Sequence, residues 1–107
     1  MALTNGNVDW ILSSDENAHY CKLEKLQARA GYAMCRQSEK GEALQAFLGN
    51  GTQLEADGVS IRTDVPADVL LLKQDGKWMY TATAPCRVVV GKKKYTLSVS
   101  KELRLLK

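Results

Sequence analysis

The stretch DVLLLKQDGKWMYTATAPCRVVVGKKKYTLSV, residues 68–99, decides the fold. Val69–Lys73 and Lys77–Thr81 flank Gln74-Asp75-Gly76, and Asp-Gly between apolar runs is a strong hairpin signal. A type I′ turn needs positive φ at both central residues, which Asp and Gly tolerate. With Asp75-Gly76 as the turn, Lys73 pairs with Trp78, Leu71 with Tyr80 and Val69 with Ala82. On the opposite face Leu72 meets Met79 and Leu70 meets Thr81, so both faces are largely apolar. That pattern predicts a strand pair covered on two sides.

The second hairpin has one dry face and one wet one. Val90-Gly91-Lys92-Lys93 fits a type II′ turn with Gly91 at the first central position. That register puts Cys86, Val88, Val90, Tyr95, Leu97 and Val99 on one side. Arg87, Val89, Lys94, Thr96, Ser98 and Ser100 fall on the other. A three-residue loop would oppose Arg87 to Leu97 and mix the faces, so the two-residue turn is preferred. Pro85 lacks an N–H and belongs at the junction between the hairpins.

Working outward, Thr52–Glu55 and Val59–Arg62 flank Asp57-Gly58 as a further hairpin, and residues 101–107 read as a closing strand or a helical turn. At the start, Asn5-Gly6-Asn7 carries turn chemistry. Val8, Trp10 and Leu12 alternate as in a short strand or apolar clip, the Trp tethering the end by packing. Ser13-Ser14-Asp15-Glu16 is a helix-start pattern. Tyr20, Leu23, Leu26, Gln27 and Ala30 follow at helical spacing up to Gly31, which predicts a helix over about 15–30. Residues 32–48 fit either a hairpin around Ser38–Gly41 or a second short helix, EKGEALQAFL, stopped by Gly49-Asn50-Gly51. Ala, Leu, Gln and Glu favour the helix. The expected fold is therefore α+β: an N-terminal helix, or two, packed on an antiparallel sheet or small open barrel of about five or six strands. One domain is expected over 1–107, mainly helical over 1–50 and built of β-hairpins over 51–107.

Composition narrows the function classes. The chain has 107 residues, 45% hydrophobic and 25% charged, enough to bury a core without metal or disulfide staples. No apolar run approaches membrane-spanning length, and MALTNGNVDW lacks the pattern of a secretory signal. Three cysteines, Cys21, Cys35 and Cys86, without CxxC spacing argue against a disulfide framework or zinc site and for a reducing, cytoplasmic setting. Cys86, on the dry face, reads as a small core hydrophobe.

Candidate chemistry is sparse. His19 has Cys21 two residues on, and on a helix residues so spaced face apart, so no nucleophile pair forms locally. Gly49-Asn50-Gly51-Thr52 matches neither phosphate-loop pattern. Asp64, Asp68 and Asp75 sit beside Pro or Gly or near turns, their usual structural use. No catalytic residue, metal site or cofactor is expected. Charge is uneven: residues 1–66 carry six basic and nine acidic side chains, residues 67–107 nine and three. Arg87, Lys92, Lys93 and Lys94 are the candidate contacts for a partner or phosphates. Lysines at a hairpin end also keep it soluble and block edge pairing. The base-stacking aromatic that a nucleic-acid surface needs is missing from that face, because Tyr95 falls on the dry one.

The expectation is a non-catalytic protein–protein interaction or assembly protein, such as a small accessory or structural component of viral (phage) type. Its partner is expected to be another protein or a second copy, with no membrane. The alternative is a nucleic-acid-binding module using the basic C-terminal hairpin.

Overall fold

The computed structural model describes residues 8–13, 19–22 and 26–106, with backbone alone at Val8, Ser13 and His19–Lys22. These residues form nine strands: β1 (Val8–Ser13), β2 (His19–Lys22), β3 (Leu26–Gln37), β4 (Ala43–Ala56), β5 (Val59–Gln74), β6 (Lys77–Ala82), β7 (Cys86–Val90), β8 (Lys93–Leu97) and β9 (Ser100–Leu105). All pairings are antiparallel, and the described residues contain no helix.

One open sheet bends over on itself. Its main path runs β1-β3-β4-β5-β6-β9, with β2 on the same side of β3 as β1 and the pair β7-β8 branching from β5. The long strands β3, β4 and β5 pass through both halves. Their far segments, residues 32–37, 43–49 and 67–74, join β1, β6 and β9 in a first layer. Their near segments, residues 26–30, 51–56 and 59–63, join β2, β7 and β8 in a second. At the crease, register shifts fall at Arg29/Ala30 on β3 and between Leu48 and Gln53 on β4. On β5, Gly51 opposes Ala67 and Gln53 opposes Arg62, so three extra residues around Pro66 turn the corner. Bulges are the usual device by which strands pass from one packed layer to the next.

The enclosed face is one apolar core. The first layer supplies Ala33, Cys35, Leu48, Val69, Leu71 and Tyr80; the second supplies Leu26, Leu54, Ile61, Cys86, Val88 and Leu97. Residues from both 1–50 and 51–107 share it. Polar side chains hold the crease. The Asp68 carboxylate accepts the Asn50 backbone N–H at 2.8 Å, and the Thr83 hydroxyl accepts the Asp68 N–H at 2.9 Å. Asn50 adopts φ of 49°, and Thr63 donates its hydroxyl to the Val65 carbonyl, with the Gly51 carbonyl 3.3 Å from the same oxygen.

The expected N-terminal helix is absent, and the α+β class gives way to all-β. Ser13 ends β1, residues 19–22 are β2 and residues 26–30 open β3; residues 14–18 and 23–25, like Asn5-Gly6-Asn7, lie outside the described residues. The second helix is absent too. Residues 32–48 form the hairpin alternative, with Gly41 N–H donating to the Ser38 carbonyl at 2.9 Å. Gly49-Asn50-Gly51 is the bend inside β4, not a helix stop. The crease explains the misreading. Along β3 the buried positions run Leu26, Ala28, Ala30 and then Ala33, Cys35, the alternation slipping by one at Gly31-Tyr32 where the strand passes from one layer to the other. Leu26, Ala30 and Ala33 then fall at i, i+4 and i+7, the spacing of a helix face.

The central hairpins form as expected. Lys73↔Trp78, Leu71↔Tyr80, Val69↔Ala82, Leu72↔Met79 and Leu70↔Thr81 all pair, with φ of 52° at Asp75 and 78° at Gly76. In the second hairpin Val90↔Lys93, Val88↔Tyr95 and Cys86↔Leu97 pair, and Gly91 has φ of 63°. The Asp57-Gly58 hairpin and the closing strand are also present. Val99 departs from the dry face: β8 ends at Leu97 and Val99 is exposed.

Candidate docking face and basic face

The two layers turn opposite chemistry outward. On the second layer, Arg62↔Arg87↔Thr96 and Ser60↔Val89↔Lys94 lie in register across β5, β7 and β8, and Arg29↔Gln53 extends the arginine row onto β3 and β4. Arg29, Arg62, Arg87 and Lys94 are exposed there, and Lys92 and Lys93 are exposed at the turn. Arg87, Lys94, Ser60 and Thr96 line a shallow depression of about 310 Å³. Two of its guanidiniums are engaged. Arg87 reaches Asp64 at 3.2 Å and Arg62 reaches Glu55 at 3.1 Å. Tyr95 packs partly buried against the core and also lines this depression beside Arg62, Arg87 and Lys94. Of the basic residues singled out in the sequence, Arg87 and Lys94 line this depression, Lys92 and Lys93 stand at the turn, and Arg87 carries an ion pair.

The first layer's outer face is apolar. Ile11↔Met34↔Phe47↔Leu70↔Thr81 form one row across β1, β3, β4, β5 and β6. The adjoining row runs Asp9↔Arg36↔Gln45↔Leu72↔Met79↔Leu105. Ile11 is 51% exposed and Leu105 41%, and the members between them are half-buried by their neighbours in the sheet. Tyr32 and Phe47 stack on this side, ring centroids 5.7 Å apart and tilted by 56°. Every described strand belongs to the sheet, and none lies over this face. Leu70, Leu72 and Met79 are the second apolar side of the hairpin that the alternation had shown. Ile11, Met34 and Phe47 were missed because two of their strands read as helix. The alternation Tyr32, Met34, Arg36 against Ala33, Cys35, Gln37 was the available signal.

Within these two rows the charged residues are an edge pair. Arg36 donates Nε and Nη2 to the two Asp9 carboxylate oxygens at 2.7 and 3.1 Å, which holds the Asp9 carboxyl below its ordinary pKa and raises that of Arg36. Beneath it, the Trp10 indole N–H donates to Gln37 Oε1 at 3.2 Å, the packing tether expected of that Trp.

Among the described residues no group of three or more His, Cys, Asp or Glu could hold a metal ion. The thiols of Cys35 and Cys86 are buried and free, and burial pushes both up to about 11. For Cys35 the charges of Asp57 and Asp9 add to that rise; for Cys86 the Arg87 charge opposes it. The argument that separated His19 from Cys21 assumed a helix and falls with it, and their side chains lie outside the described residues. Among the described residues no helix is long and apolar enough to cross a membrane. Comparison of the chain with protein-family models, with curated proteins and with solved structures finds no match.

Proposed function

We propose that the protein is a non-catalytic protein–protein interaction module whose docking surface is the outer face of the first layer. The observation that carries this reading is the in-register row Ile11, Met34, Phe47, Leu70 and Thr81. Scattered exposed apolar residues are ordinary, but a contiguous patch spanning five strands is the mark of an interaction surface. An antiparallel sheet with a dry inner face normally turns polar residues outward. Here the second layer does so and the first does not.

A photo-crosslinking amino acid placed at Leu70 tests the reading in the cells that make the protein. Discrete adducts, identified by mass spectrometry and absent when the same group sits at Ser60 on the other layer, are expected. Adducts from Ser60 alone, or from neither position, would overturn it. The nucleic-acid reading has less support, because Asp64 already pairs with Arg87, one of the four basic residues it would use.

A further inference from the structure

Resting on that reading, we infer that the occupant of the apolar face is a second copy of this chain, packed sheet on sheet. Three observations lead there.

The first is charge. The face holds only Asp9 and Arg36 within its two apolar rows, and they are bonded to one another, so two copies meet there without like-charge repulsion. The chain is +3 overall, and Arg29, Arg62, Arg87 and Lys94 sit on the opposite side of the molecule. Joining the apolar faces puts these basic faces at the two far ends of the pair, the arrangement of least repulsion.

The second is self-complementarity. A closed pair uses the same patch on both subunits. Phe47 is the middle member of its row, with Met34 on one side and Leu70 on the other. A two-fold axis lying in the plane of the face and passing under Phe47 sets this row against its own copy. If the axis runs along the strands, Met34 meets Leu70; if across them, each residue meets itself. Along this row apolar side chains cover apolar side chains either way.

The third is area. Six strands about 4.8 Å apart, over about five residues of roughly 3.3 Å, span on the order of 500 Å². Two such faces together come to on the order of 1,000 Å², the lower bound for a specific interface. Sheets pack this way face to face, about 10 Å apart with their strands turned by about 30°. An area so near that bound implies a reversible, concentration-dependent dimer.

Light scattering and sedimentation velocity, from micromolar to millimolar protein, provide the test. The wild type should move from 11.8 kDa toward twice that mass. Met34→Lys with Leu70→Lys, and separately Met34→Glu with Leu70→Glu, should each weaken association at least tenfold. An equimolar mixture of the two variants should restore it, because lysines of one row then meet glutamates of the other. Should either double variant fail to fold, Ile11→Lys, at the most exposed member of the row, takes its place and should weaken association in the same direction. A wild type that stays monomeric at millimolar concentration, or a dimer indifferent to these changes, would overturn the inference. A monomer whose Leu70 crosslinks to a different protein would leave the interaction reading standing and remove only the second copy.

Discussion

Gly51 lies directly against Ala30 at the crease: a Cβ built on Gly51 would come within 2.4 Å of the Ala30 methyl carbon. The Arg29 carbonyl oxygen and Leu48 Cδ1 would each stand 2.7 Å away. Since one neighbour is backbone, a side chain there cannot be absorbed by a rotamer change. Gly51→Ala should destabilise the fold by about 2 kcal/mol or more, the cost of forcing atoms into a packed site. Urea unfolding of the variant measures it, and an unchanged midpoint would contradict the close approach.

Gly76 gives the converse case. Nothing stands within 4 Å of a Cβ there, but its φ is 78°. Gly76→Val should therefore cost roughly 1 kcal/mol or more, from backbone conformation alone. Thermal unfolding should show the loss with no change in the hairpin register by NMR.

The buried thiols predict an alkaline limit. Cys35 and Cys86 are raised from 9.0 to about 11, so the fold favours their protonated forms. Their contribution is complete below pH 9 and is lost as pH rises through 11, when the native state must also give up the protons. Stability should fall across that window in the wild type and less steeply in Cys35→Ala with Cys86→Ala, compared by denaturant titration at each pH. Both native thiols should also resist alkylation until the chain unfolds.

Lys92, Lys93 and Lys94 are exposed at and beside the Gly91 turn. Replacing all three by Ser should change stability by less than about 0.5 kcal/mol. A gel-shift titration at low and moderate salt should show no salt-sensitive binding of DNA or RNA by the wild type. Micromolar binding abolished in the triple variant would instead favour the nucleic-acid reading.

The hairpins were legible because each is local: its turn residues and its alternation lie within a dozen positions of one another. The three turns at Asp57-Gly58, Asp75-Gly76 and Gly91 carried their own register. β3 and β4 were not legible, for a reason located at the crease. Ala28, Ala30 and Ala33 are buried along β3 and Ala46 along β4, and at the crease Gly51 admits no side chain. Alanine is the best helix former and a poor strand former, so small residues required by close packing imitate helix propensity. The basic hairpin of the candidate site could be read from three consecutive lysines and Arg87 on the preceding strand. The apolar face could not, since its row draws single residues from five strands.

β3, β4 and β5 each belong to both layers, and this has a consequence for how the molecule comes apart. No seam exists along which one layer could open while the other stays closed, because each of the three central strands would have to unzip along its whole length. The amide protons of Cys35 and Leu71 in one layer and of Ile61 and Val88 in the other should therefore exchange with solvent through the same global event. A single cooperative unit is the expected behaviour of a sheet folded across its own strands.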